Sequence, residues 1–122
     1  MSYLTYKVLH LFAGFFAFFS VGGLVLRAMD AGTDKTAARK LAGMCHGIAM
    51  LLLLVSGFGL MARLGIPHNW AFPPWIWGKL AIWTTLGIVL SLIHRRPELL
   101  KPLWFVIPLL GGLAAWLALY KP

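Results

Sequence analysis

The sequence predicts an all-α fold: a polytopic transmembrane four-helix bundle running up-down-up-down. Three observations lead there. The 122 residues are 61% hydrophobic and 11% charged, with a mean hydropathy of +0.84. A soluble chain of this length has too little interior to hide so much apolar surface, so the bilayer is its natural solvent. Four apolar runs, about 4–28, 38–63, 75–94 and 102–120, each approach or exceed the roughly 20 residues that a helix needs to cross the hydrocarbon. The links between them are short, and short links join antiparallel neighbours.

The first run, SYLTYKVLHLFAGFFAFFSVGGLVL, is too long for a signal-peptide core and has no clear small-residue cleavage site after it, so it reads as a retained span. The link DAGTDKTAARK is polar, and Asp34 is the expected N-cap of the second helix. The second link, GIPHNWAFPP, carries three prolines that end one helix before the next begins. The third, HRRPELLKP, is short and basic. A single domain, 1–122, is expected, without linker or repeat.

A net charge of +8 raises the thought of nucleic acid, but the basic residues cluster between apolar runs, where membrane topology accounts for them. A nucleic-acid partner is therefore not expected. Arg27, Lys35, Arg39, Lys40, Arg95, Arg96 and Lys101 fall on one side of the membrane (the far side). Lys7, Arg63, Lys79 and Lys121 fall on the side of the N-terminus (the N side). The positive-inside rule makes the far side cytoplasmic, so in a bacterial inner membrane both termini face the periplasm. The N side also holds the richer aromatic belt, with Tyr3, Tyr6, Trp70, Trp75, Trp77, Trp116 and Tyr120.

Lipid tails give no hydrophobic reward for helix contact, so small residues mark the faces expected to pack. These are Ala13, Gly14 and Ala17 beside His10; Ala42, Gly43, Ala49, Met50 and Gly57 beside His46; Thr84, Gly87 and Ser91 leading to His94; and Gly111, Ala115 and Ala118 on the fourth helix. Gly43 and Gly47 form a small-xxx-small pair. The stripe on the fourth helix is available to a second copy, which makes a homodimer the expected assembly, with membrane lipids as the surrounding partner and no protein partner specified.

Ionisable residues inside a membrane are functional candidates by default. At 1.5 Å per residue, His10 lies about 9 Å and Lys79 about 6 Å from the N side, while His46 lies roughly 8 Å from the far side. His94 and Arg27 border that far side. The candidate cofactor-binding set is thus His10, Lys79, His46, His94 and Arg27, with His10 and His46 as candidate haem iron ligands. Bland alternatives stand beside this. Lys7, Arg27 and Arg95 can snorkel to headgroups, His94 can border the interface, and His68 can be a solvated loop residue. His10 and His46 can each bond a hydroxyl or carbonyl of a neighbouring helix.

Several chemistries are limited by what the chain lacks. Asp30, Asp34 and Glu98 all fall in the links, so no span carries the carboxylate that a proton or ion path would want. No Ser-His-Asp set, phosphate loop or carboxylate pair can be assembled, which leaves no catalytic residues to name and favours a non-catalytic role. One cysteine, Cys45, permits neither an internal disulfide nor a c-type haem motif. Cys45, His46 and Met50 suggest copper, but Cys45 and His46 point about 100° apart on a helix. A b-type haem remains the alternative cofactor, held by histidine in a slot between helices.

The segments YKVLHLFAGFFAFF…LVLR, GMCHGIAMLLLLVSGFGL and WIWGKLAIWTTLG resemble the SirB family of small bacterial membrane proteins, named as up-regulators of invasion gene expression. The matching elements are Lys7 and His10, Leu26-Arg27, His46, Ser56-Gly57, and Trp77 with Lys79. A looser likeness reaches four-helix membrane proteins of the HemJ type, protoporphyrinogen oxidases associated with haem, and of the CopD type, linked to copper uptake. Both share the lysine-x-x-histidine start, a tryptophan before a third-helix lysine, and a histidine like His94. In the SirB pattern a proline precedes the second-helix histidine and an aspartate follows it by three; here those positions are Cys45 and Ala49. The resemblance implies an accessory or regulatory inner-membrane protein, with a candidate ligand pocket around His10 and Lys79.

Reporter fusions check the orientation. A fusion at Thr33 is expected to report cytoplasm and one at Asn69 periplasm; the opposite pair of signals would invert the topology.

Overall fold

The computed structural model describes residues 2–31, 36–67 and 71–121. Four helices follow in order: α1 (Tyr3–Ala31), α2 (Ala37–Arg63), α3 (Pro74–Arg95) and α4 (Leu100–Tyr120), the last led in by a 3-10 turn at Pro97–Leu99. Among the described residues there is no strand. All four helices are long and apolar enough to cross a membrane. Their bounds lie within three residues of those expected, because length and hydropathy are the signals a bilayer imposes most directly.

The helix ends are set by local chemistry. Ser2 accepts the Thr5 N–H at 3.2 Å through its Oγ, opening α1. Thr36 caps α2, its hydroxyl accepting the Arg39 N–H at 3.3 Å. The cap is therefore two residues beyond Asp34, which was expected in that role. Asp34 itself lies outside the described residues, as do Lys35, His68 and Trp70. Pro74 occupies the first turn of α3, where its missing N–H costs nothing. Pro108 sits inside α4, where it withholds one backbone donor from the helix ladder.

α1 is the axis of the bundle. It packs most extensively on α2, also meets α4, and touches α3; α3 packs on α4, while α2 and α3 meet only sparsely. Ala13, Ala17, Val21, Leu24 and Val25 form its buried stripe. Small residues let the α1–α2 backbones approach: Gly14 faces Leu53, and the His10 ring lies over Gly57, where a Cβ would come to 3.4 Å of Cε1. A Cβ on Gly59 would run into the Tyr6 ring. On the other flank Phe18 lies against Gly111, and Leu117 fills the space beside Gly78. Large apolar side chains such as Phe15, Phe19, Leu109 and Leu119 point outward, as a bilayer solvent requires.

Three expected packing faces differ. No side chain comes within 4 Å of a Cβ placed on Gly43 or Gly47, so that pair is not a helix–helix contact within the chain. Thr84, Gly87 and Ser91 are exposed instead of packed. On α4, Gly111 packs under Phe18 as expected, but Ala115 is exposed. Small size permits close approach without dictating it, and the apolar surroundings of a span give no signal for which face turns inward.

Gly59 and Gly43 separate these cases. Gly59→Ala is expected to destabilise by about 1–3 kcal/mol through the Tyr6 ring. Gly43→Ala, with open space around it, should be neutral or stabilising by up to about 1 kcal/mol. Unfolding in mixed micelles measures both. A Gly59→Ala loss that persists after Tyr6→Ala would place the cause elsewhere.

Candidate functional site

The first cluster forms where the N-side ends of α1, α2 and α3 meet. His10 is seven residues into α1, Ser56 seven before the end of α2, and Lys79 five into α3. At 1.5 Å per residue these are about 10, 10 and 8 Å from their helix ends, one common layer. His10 Nδ1 and Ser56 Oγ are 2.8 Å apart. The single serine proton goes to the Leu52 carbonyl at 2.6 Å. Nδ1–H therefore donates to the serine oxygen, and Nε2 of the neutral ring carries the lone pair. Lys79, half-buried, lies close enough for its charge to act at His10, and Lys121 acts in turn on Lys79. His10 and Lys79 are thus brought into one neighbourhood, as their depths led one to expect.

Ser56, singled out in the sequence only as part of the Ser56-Gly57 pair and not as a site residue, is the third member. It is fully buried, and the pair Ser56-Gly57 supplies both the hydroxyl and the space under the His10 ring. A serine followed by glycine two turns from a span's end was its signal. Around this layer the aromatic belt is in place: Lys7 Nζ stands 5.6 Å over the Tyr3 ring and Lys121 Nζ 5.3 Å over Trp75. Lys7 thus points away to the interface, the snorkelling role.

The second site is at mid-membrane. His46 is 2% exposed, with Nδ1 3.4 Å from the Ala17 carbonyl and Nε2 3.2 Å from the Leu86 carbonyl. Ala17 is the middle residue of α1 and Leu86 lies near the middle of α3. His46 therefore lies level with the middle of α1 and α3, nine residues into α2. Trp83 returns the contact: its Nε1–H donates to the Met50 carbonyl at 2.9 Å. A side chain of α2 thus reaches the backbone of α3, and one of α3 reaches the backbone of α2. The indole role of Trp83 was not legible, since a tryptophan in an apolar run reads first as bulk.

The third group lies at the far side. Arg27 and Arg39 both place charge at His94, and its buried Nδ1 has no hydrogen-bond partner among the described residues. Arg27 also lines a shallow depression with Asp30. Cys45 is a free thiol. Measured along the helices, His46 stands about 15 Å from the level of His10 (ten residues of α2) and about 12 Å from that of His94 (eight residues of α3). His10, His46 and His94 thus stand at three separate levels of the bundle. Among the described residues no three His, Cys, Asp or Glu side chains converge on a metal position.

The His10–Ser56 bond is open to measurement. A double-mutant cycle of His10→Ala and Ser56→Ala in mixed micelles is expected to give a coupling of about 0.6 kcal/mol, up to about 1.7, the range for hydrogen bonds between membrane helices. A coupling of zero would mean the pair contributes no mutual stability.

No protein-family model matches the chain, and neither does any curated protein or solved structure. The family likeness therefore stands on the quoted residues alone.

Proposed function

We propose that this small multi-pass membrane protein is an accessory or regulatory protein of a bacterial inner membrane, without catalysis of its own, whose N-side end faces the periplasm and binds an oxyanion between His10 and Lys79. One observation carries the reading: among the described residues, the half-buried Lys79 ammonium has no carboxylate side chain in its layer. The chain has three acidic side chains. Asp30 closes α1 at the far side, Glu98 pairs there with Arg96 at 3.3 Å, and Asp34 belongs to the link on the same side. Lys121 adds a second positive charge to the N-side layer. An ammonium in low dielectric wants a counter-ion, and here that ion has to come from outside the chain's own side chains.

His10 adds selectivity. Its Nε2 is an acceptor when Nδ1–H is held by Ser56, so the fitting ligand offers an oxyanion to Lys79 and a hydroxyl to His10. A glycerol phosphate group has both. It can come from a phosphatidylglycerol headgroup or from a soluble phosphate ester.

Native mass measurement of protein released from nanodiscs tests this. Wild type is expected to retain phosphatidylglycerol over phosphatidylcholine, and Lys79→Met to lose about tenfold in retention, one charge-assisted hydrogen bond's worth. His10→Ala should weaken retention comparably, the double change should add little, and Lys7→Met should leave it intact. Displacement by millimolar glycerol 3-phosphate would identify a soluble ligand; resistance to it, a lipid. Equal retention by wild type and Lys79→Met would overturn the site.

A further inference from the structure

His46 projects from α2 between α1 and α3, and each ring nitrogen is turned to a backbone carbonyl. Nδ1 faces Ala17 at 3.4 Å and Nε2 faces Leu86 at 3.2 Å. A carbonyl only accepts, and a neutral imidazole has one N–H to give. One nitrogen therefore always turns a lone pair toward a carbonyl lone pair. The ring is 2% exposed, and Ala17 and Leu86 are buried with it, so the mismatch is costly.

No charged neighbour settles which nitrogen takes the proton. Among the described residues within one turn of His46, Ala17 and Leu86 along their helices, Cys45 is the one other ionisable side chain. His10 is the contrast: its Nδ1–H is fixed by Ser56, which is itself committed to the Leu52 carbonyl. The two carbonyls at His46 are the same kind of acceptor, each also serving its own helix ladder. The two tautomers are thus close in energy.

What each tautomer holds is different. Gly14 against Leu53 and Gly57 under the His10 ring keep α1 and α2 together whichever nitrogen carries the proton. α2 and α3 meet sparsely, with the Trp83–Met50 bond as a further tie between them. A lone pair on Nε2 opposite Leu86 therefore acts on the looser partner.

We infer that His46, set between the Ala17 and Leu86 carbonyls, is an either-or tether that gives α3 two seats against α2. With the proton on Nδ1 the ring fastens α2 to α1, and α3 sits back. With the proton on Nε2 it fastens α2 to α3, while the α1–α2 seam stays closed through its own packing. Lys79 rides on α3 and His10 on α1, so the change of seat also alters the spacing of the N-side pair, with or without a ligand there.

Nitrogen NMR of isotope-labelled histidine, in the full chain in nanodiscs, reads the tautomers directly, because ring nitrogens with and without hydrogen resonate far apart. Carbonyl-labelled alanine identifies the His46 ring by its contact with Ala17. His46 is expected to show both neutral forms, or their weighted average, with populations within about tenfold of one another, since the difference is less than a full hydrogen bond to an ordinary acceptor. His10 should show Nδ1–H alone. Trp83→Phe removes the indole tie of α3 and should shift the His46 ratio about fivefold toward Nδ1–H, one net hydrogen bond's worth. Gly14→Leu wedges the α1–α2 seam at Leu53 and should shift it the other way. A ratio that neither variant moves would overturn the inference. So would a shift in the same direction in both, or a doubly protonated ring serving both carbonyls at once.

Discussion

The rest of the structure depends on the close approach of α1 and α2. A bilayer interior offers no water to satisfy a polar group and no hydrophobic gain for pressing two apolar helices together. What remains is contact and hydrogen bonding, and both need the backbones near one another. Ala13, Gly14 and Ala17 on one side and Gly57 and Gly59 on the other bring them near. Once they are close, a histidine at each level can reach across: His10 to Ser56 and His46 to the Ala17 carbonyl. These two bonds run in opposite directions, one from each helix. They stitch the seam at two heights and fix its register, since a slip of one residue would misalign both.

The same seam explains why charge is distributed as it is. Every acidic side chain belongs to the far side, where Arg27, Arg39, Arg95 and Arg96 also gather. The N-side layer is left with cations and aromatic rings. Stacking of Lys7 on Tyr3 and of Lys121 on Trp75 accommodates two of those cations at the interface. Lys79, one residue beyond the Gly78–Leu117 contact that draws α3 and α4 together, is held deeper, half-buried between the helices. Its position follows from helix packing, and its chemistry from what the surrounding layer lacks.

The helices themselves were legible in the sequence because the bilayer asks for length and apolarity, and Tyr3–Ala31 or Ala37–Arg63 supply both without ambiguity. The histidines were legible as candidates because polar groups are rare in spans. Their partners were not. In a soluble helix the polar face announces itself; in a span, apolar residues face both lipid and core, so rotation about the axis is hidden. Hence Gly43 and Gly47 were expected to pack and do not, while Gly59, not singled out in the sequence, faces the Tyr6 ring. The stripe Thr84, Gly87 and Ser91 was recognised as a unit but assigned inward, and it faces out. Ser56 and Trp83 act through one atom each, a hydroxyl and an indole N–H, and neither atom leaves a periodic trace.

The uneven packing around α1 has a consequence for biogenesis. The α1–α2 hairpin is built from neighbours in sequence, and its His10–Ser56 bond and small-residue seam need nothing from the second half of the chain. It can close as soon as both spans have left the translocon, before α3 and α4 are in place. α3 and α4 then dock as a second hairpin on a finished surface, and the Trp83–Met50 bond is a latch closed last. A chain arrested after α2 is accordingly a packed intermediate whose Met50 carbonyl still lacks the indole that later covers it.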